Sequence, residues 1–211
     1  QTLESYEDTL RKVADLKPEH ISSYSLIIEE GTPFYERYGE DRHAEELPDE
    51  DTERQMYVRT REILEGYCYH RYEISNYAKD GYECRHNLGY WDRKEYLGLG
   101  AGASSLMDHI RWKEPDHIGP STGLVLEERE DFTRLRRNDE MEEFMFLGLR
   151  KINGVSEHYF YKSFRVSMDE IYKDSIENLI KAGLLVREED RIRLTDRGID
   201  LSNYALSQFL L

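Results

Sequence analysis

The pattern of apolar and polar residues predicts alternating helices and strands in the first part of the chain. Apolar side chains recur at helical spacing over residues 3–16, and Pro18 is expected to stop that helix. The β-branched and aromatic run 21–28 predicts a strand. A second amphipathic helix is predicted over 49–66, and a second strand is predicted at 72–77.

This alternation is typical of an α/β protein with a parallel sheet or barrel. Two strands cannot close a barrel, and they make a poor sheet on their own. We therefore predict that these elements belong to a larger fold. Its remainder is expected to precede Gln1, since the pattern is already under way there.

Residues 140–211 change in character and predict a separate α+β domain. Helices are expected at 141–150, 156–164 and 169–182, followed by a tight hairpin over 184–194 and a final helix. Three helices followed by a hairpin are typical of a winged helix. The polar segment 111–139, which contains proline and glycine, is predicted to be a connecting loop.

The distribution of charge argues against DNA, the usual ligand of a winged helix. The chain of 211 residues has 44 acidic and 29 basic residues and a formal net charge of −15. Residues 140–211 hold 13 acidic and 10 basic residues, and the expected recognition helix 169–182 is itself acidic. A helix that binds a groove needs cations that face the phosphates. We therefore predict neither nucleic acid nor an anionic membrane surface as a partner.

Cysteine content and hydropathy favour the cytoplasm. Cys68 and Cys84 are the two cysteines, and they form neither a CxxC pair nor a disulfide framework. A reducing compartment is the simplest interpretation. No apolar run approaches the roughly 20 residues of a membrane span, and no signal peptide is visible.

Two segments offer candidate chemistry. The glycine run 98–102 lacks the spacing of a phosphate-binding loop. It is expected to lie on a buried strand, where glycine admits either a ligand or close packing. His86 could bind iron or shuttle protons. Tyr90 and Trp91 could flank a flat macrocycle, and Asn87 could orient the imidazole. A structural histidine among aromatic core residues is the alternative interpretation.

Several long motifs resemble one known family. The sequence contains HISSYSL from His20, EGTPFY from Glu30 and YEISNYA from Tyr72. It continues with GYECRHNLGYW from Gly81 and YLGLGAGA from Tyr96. These motifs are similar to those of the oxygen-independent coproporphyrinogen III oxidases and their relatives, which are radical-SAM proteins. The tail of the chain resembles the C-terminal winged-helix domain of the same family.

The resemblance implies a fold as well as a function. Residues 1–110 would form the C-terminal part of an incomplete, TIM-like radical-SAM barrel. Residues 111–139 would connect it to a winged-helix domain at 140–211. The missing N-terminal half of the barrel would then be a partner of these strands.

Within the family, the HNxxYW motif points to the haem-chaperone branch. The resemblance therefore implies that His86, Asn87, Tyr90 and Trp91 bind haem or a porphyrinogen. His86 becomes the candidate ligand of the haem iron, and apo-haemoproteins become candidate partners. The true oxidases of the family usually lack this motif.

The resemblance also implies cofactors for the whole protein. The family's barrel holds a [4Fe-4S] cluster on a CxxxCxxC motif, and S-adenosylmethionine binds to that cluster. This sequence contains no CxxxCxxC. The chain alone is therefore expected to hold no cluster, to lack catalytic residues and to be inactive in radical chemistry. Ile27, Ala103 and Ser104 are expected on strands that face S-adenosylmethionine, and Ser104 stands where the haem-chaperone branch often has a histidine.

Three hypotheses for function follow. The first is haem binding and delivery, which we favour because of the HNxxYW motif. The second is the oxidative decarboxylation of coproporphyrinogen III to protoporphyrinogen IX. The third is a winged-helix interaction module without catalytic activity.

Overall fold

Helices alternate with short strands in the chain, and the fold class is mixed α/β, as predicted. The computed structural model describes residues 1–116 and 130–211. Contacts between residues divide the chain into two units, Gln1–Cys84 and Arg85–Leu211. The domain bounds at residues 110 and 140 stay a prediction.

The unit Gln1–Cys84 is built from helices that flank a small sheet. Both helices that the sequence predicts are confirmed to within one residue at each end. Along the chain the elements are α1 (Leu3–Asp15), β1 (His20–Ser22), α2 (Pro33–Tyr38), two 3₁₀ helices (Gly39–Asp41 and Ala44–Glu46), α3 (Glu50–Gly66), β2 (His70–Arg71) and β3 (Asn76–Ala78).

The core of this unit joins its two long helices to its sheet. Ala14 of α1 and Leu64 of α3 pack with Ile21, Tyr69 and Tyr77, and all five are buried. Burial of these apolar side chains is the main source of stability for such a small unit. The cluster therefore fixes β1 and β3 against the helices.

The strand pairings correct the parallel sheet that the sequence predicts. β3 lies between β1 and β2 and is antiparallel to both of them. β1 and β2 therefore run in the same direction, as a helical crossover requires. The prediction of a parallel sheet was wrong because the chain turns back after β2 and places β3 between β1 and β2.

The first strand is shorter than the apolar run that predicts it. The run spans 21–28, whereas β1 ends at Ser22, and residues 24–29 belong to no strand. Leu26 and Ile27 are 53% and 75% exposed. The apolar character of this segment is therefore not explained by burial within its own unit.

The second predicted strand, 72–77, is divided by a bend. The buried Glu73 carboxylate accepts hydrogen bonds from the Ser75 amide (2.7 Å) and the Asn76 side chain (2.6 Å). These bonds satisfy the carboxylate locally and hold the turn between β2 and β3. A periodicity of two cannot reveal such a side-chain-to-backbone turn.

The described part of the unit Arg85–Leu211 contains helices and two antiparallel sheets, ordered β4-β5-β6 and β7-β9-β8. Its elements are α4 (Arg85–Trp91), β4 (Ser104–Met107), β5 (Ile110–Lys113), β6 (Glu130–Arg134), α5 (Arg137–Gly148), β7 (Val155–Ser156), α6 (Glu157–Phe164), α7 (Met168–Lys181), β8 (Leu185–Glu188), β9 (Arg191–Leu194), α8 (Asp196–Asp200) and α9 (Ser202–Ser207).

Strands occupy parts of the segment 111–139, which the sequence predicts as a loop. β4 and β5 form a hairpin around Asp108 and His109, whose φ angles of 49° and 64° are typical of a two-residue type I′ turn. β6 pairs with β5, and all its residues are exposed. An edge strand with polar, exposed side chains resembles a loop in sequence, which explains the difference. Residues 117–129 lie outside the described residues.

The helices and the hairpin predicted after residue 140 are confirmed by α5 to α7 and by β8 and β9. α7 begins with a capping box, in which the hydroxyl of Ser167 accepts the amide hydrogen bond of Glu170. The helix ends at Lys181; Gly183 follows with a φ of 72°, and the amide of Leu184 donates to the carbonyl of Leu179. The two caps set the length of the helix.

Replacing Ile176 tests the packing of α7. Ile176 is fully buried, so Ile176→Ala is expected to lower the free energy of unfolding by about 2–5 kcal/mol. Ile180 lies on the same helix and is 37% exposed, so Ile180→Ala should cost less than about 1 kcal/mol. Urea denaturation followed by circular dichroism measures both. Equal losses would contradict the described orientation of α7.

Candidate functional site

The four residues of the HNxxYW motif lie on one short helix. His86, Asn87, Tyr90 and Trp91 belong to α4, and the helix places His86 and Tyr90 on the same face because they are four residues apart. The centroids of their rings are 4.6 Å apart, with the planes at 79°. His86 is exposed, and Asn87, Tyr90 and Trp91 are half-buried. The His86 imidazole has no hydrogen-bond or ion-pair partner among the described residues.

Trp91, at the end of α4, packs against the loop that follows α5. The Arg150 guanidinium lies 4.7 Å from the centroid of the Trp91 ring, which is a cation–π distance. The indole nitrogen is buried and has no hydrogen-bond partner within the described chain. Lys151 adds an ion pair to Asp92, the residue after the helix. The aromatic ring beside His86 is therefore that of Tyr90, while Trp91 anchors the helix.

Arg93 ends the helix and ties it to α5. Its backbone is left-handed, with a φ of 53°, and its amide donates to the carbonyl of Tyr90. Its guanidinium binds Glu143 at 2.8 Å and Glu140 at 3.2 Å. The side chains of these three residues are 8–15% exposed. Ion pairs that solvent barely reaches are screened weakly by salt. These two pairs therefore hold the end of α4 against α5.

The carboxylate of Glu143 also binds a second arginine. Arg111 of β5 donates to Oε1 at 2.8 Å, while Arg93 donates to Oε2. His109, in the β4–β5 turn, lies 2.5 Å from Glu140. A buried carboxylate needs such partners because desolvation disfavours its charge. The network therefore joins α4, the β4–β5 hairpin and α5.

Tyr96 links this network to the motif helix. Its ring lies edge-on to Tyr90, with centroids 4.7 Å apart and planes at 83°. Burial raises the pKa of the Tyr96 hydroxyl, and the positive charge of Arg111 beside it opposes that rise. Tyr96, Arg93 and the two glutamates were not predicted as site residues from the sequence. Tyr96 begins a family motif, but no local pattern indicates pairs formed between distant residues.

The glycine run forms a turn, so its expected place on a buried strand is wrong. Residues 97–103 are in no strand, and Leu99 is 85% exposed. Gly100 and Gly102 have φ angles of 105° and 70°, which a strand does not accommodate. A Cβ atom on Gly98 would lie 2.2 Å from the carbonyl oxygen of Ser104. Close backbone packing therefore accounts for the glycine at this position.

The three residues expected near S-adenosylmethionine lie in different units. Ile27 belongs to Gln1–Cys84 and lines an open cleft of about 620 Å³ between residues 23–28 and the start of α3. Ala103 and Ser104 belong to Arg85–Leu211, where Ser104 begins β4 and pairs with Lys113. Ser104 is exposed and Ala103 is half-buried.

The cysteines do not fit an iron–sulfur cluster. Cys68 and Cys84 are free, and a radical-SAM cluster needs three cysteine ligands. Among residues 1–116 and 130–211, no group of three or more His, Cys, Asp or Glu side chains could hold a metal ion. The same residues include no helix long and apolar enough to cross a membrane.

Replacing Glu143 tests the ion-pair network. Glu143→Gln keeps the shape of the side chain but leaves Arg93 and Arg111 without their shared charge. We expect the free energy of unfolding to fall by about 3 kcal/mol. Glu188→Gln is the matched control, because Glu188 is 56% exposed and its pair with Arg193 contributes less than about 1 kcal/mol. Similar values for the two variants in urea denaturation would contradict the described burial.

Comparisons with known proteins agree with the motifs. Residues 135–201 match the HemN C-terminal domain. The chain is 38% identical to the heme chaperone HemW of Lactococcus lactis over 215 residues, which cover 100% of the chain and 55% of that protein. It is 35% identical to the heme chaperone HemW of Bacillus subtilis, and this match covers 100% of the chain and 56% of that protein. The chain thus spans about half the length of these curated relatives.

A solved structure shares the fold. It is the coproporphyrinogen III oxidase HemN of Escherichia coli, described as a radical SAM enzyme, with a TM-score of 0.75. The match covers 99% of this chain and 52% of that one, at 18% sequence identity, so it supports the fold and not the activity. Residues 135–201 are thus similar to the HemN C-terminal domain, and the whole chain is identified as a relative of about half of the HemW proteins.

Proposed function

We propose that the chain belongs to a haem chaperone and that His86 is a ligand of the haem iron. The observation that carries this proposal is an exposed imidazole without a polar partner in the described chain, on a helix that is anchored at its end. A neutral imidazole nitrogen is a common metal ligand. The curated relatives named heme chaperone HemW support the same function.

The surroundings of His86 suit a flat, largely apolar ligand. Tyr90 presents its ring beside the imidazole, and the anchored Trp91 and Arg93 hold the helix that carries both. Asn87 follows His86 in the chain, and we propose that its amide binds the ligand or orients the imidazole. A rigid support for a ligand side chain lowers the entropic cost of binding.

We propose that the other cofactors of the family require residues beyond those described. With two cysteines, the chain cannot supply three thiolates to a [4Fe-4S] cluster. The cleft lined by Ile27 has the size of a small-molecule site, and we propose Ile27 as a contact of S-adenosylmethionine in the longer protein. Ala103 and Ser104 are proposed as S-adenosylmethionine contacts separately, on the resemblance of their motif to the family.

The finer organisation belongs to the same proposal. The exposed segment 24–29 beside β1 suits a surface that further barrel strands would cover. The helices α5 to α7 and the β8–β9 hairpin suit a winged helix. We propose the cytoplasm as the compartment, and apo-haemoproteins as the partners that receive haem.

Haemin titration tests the role of His86. The protein is expected to bind haemin with a shift of the Soret band, and His86→Ala should raise the Kd at least about tenfold, or ~1.4 kcal/mol. His158→Ala is the matched control, because His158 is also an exposed histidine of the Arg85–Leu211 unit. It should leave the Kd unchanged.

Two results would contradict the proposal. One is an unchanged haemin affinity in His86→Ala. The other is anaerobic turnover of coproporphyrinogen III, without haemin binding, by the longer protein to which we propose the chain belongs, since that would favour the oxidase reaction.

A further inference from the structure

A row of three rings leads from His86 into its unit. The Tyr90 ring lies between the rings of His86 and Tyr96 and meets each of them edge to face, at 4.6 Å and 4.7 Å. Both distances fall in the range of favourable aromatic pairs. The exposed imidazole has no polar partner among the described residues, and its edge-to-face contact with Tyr90 restrains its orientation.

Neighbouring residues hold both the backbone and the hydroxyl of Tyr96. Its amide donates to the carbonyl of Leu106 and its carbonyl accepts from the amide of Leu106, both at 2.9 Å. Its hydroxyl lies beside Arg111, which stands opposite Leu106 in the β4–β5 hairpin. Arg111 is held in turn by the buried Glu143. Tyr96, at the inner end of the row, is therefore held by the β4–β5 hairpin and by the Glu143 network.

We propose that Tyr96 is a positioning residue for His86, which acts by holding Tyr90 edge-on against the imidazole. Tyr96 does not contact His86 in the described structure, so its effect passes through the ring between them. This inference rests on the proposed role of His86 as a haem ligand. A ligand side chain that is already oriented loses less freedom when it binds, and this strengthens binding.

The ring contacts of the protein without haem provide the first test. NMR cross-relaxation between the imidazole of His86 and the ring of Tyr90 reports their distance directly. Tyr96→Leu removes the supporting ring and should weaken this cross-relaxation at least about twofold, since the mean separation of the rings increases. Tyr96→Phe keeps the ring and should preserve the signal. A folded Tyr96→Leu protein with an unchanged signal would overturn the inference.

Two further variants make this test specific. Tyr161→Leu is the control, because Tyr161 is a 52% exposed tyrosine on α6 of the same unit. It should leave the His86 signal unchanged. Should Tyr96→Leu disrupt folding, Tyr96→Met fills the space with a flexible, ring-free side chain and serves the same purpose. Its signal is then expected to fall, and an unchanged signal would again overturn the inference.

Haemin binding provides the second test. Tyr96→Leu should raise the haemin Kd about fivefold, within the range expected for loss of one ordered side chain, and Tyr96→Phe should restore it. An unchanged Kd in Tyr96→Leu, in a protein where His86→Ala weakens binding, would overturn the inference. If the unsubstituted protein does not bind haemin, the proposed function fails. The NMR signal still decides whether Tyr96 orders the imidazole.

Discussion

The buried carboxylate of Glu143 is the interaction on which the arrangement of the Arg85–Leu211 unit depends. It receives one guanidinium from the end of α4 and another from β5. Moving a carboxylate out of water costs free energy, and this cost is offset only where both of its oxygens are well paired. Charge pairing therefore helps to set the position of the motif helix relative to α5.

The sequence identified the residues of the motif, but it predicted neither the helix α4 that carries them nor the side chains that support it. His86, Asn87, Tyr90 and Trp91 form one compact motif, so the resemblance identified them together. Glu143 and Arg93 are 50 residues apart, and each has the polar pattern of an ordinary surface position. Periodicity describes which face a residue occupies, but it does not indicate which distant charge that residue meets.

The same limit explains the errors in the fold. Apolar runs located the helices well because capping residues such as Asp49 and Ser167 mark where they begin. They did not reveal that β3 lies between β1 and β2, because strand order depends on how the chain turns back after β2. The exposed strand β6 has no buried face, so it gave no periodic signal at all.

The left-handed backbone of Arg93 limits which residues can stand at this position. An L-residue in this conformation costs about 1–2 kcal/mol, and glycine would remove that cost. Glycine, however, would leave Glu143 with a single cation. The residue that best suits the end of a helix is thus excluded by a carboxylate 50 residues away. Substitution at either position is expected to be accepted only after a compensating change at the other.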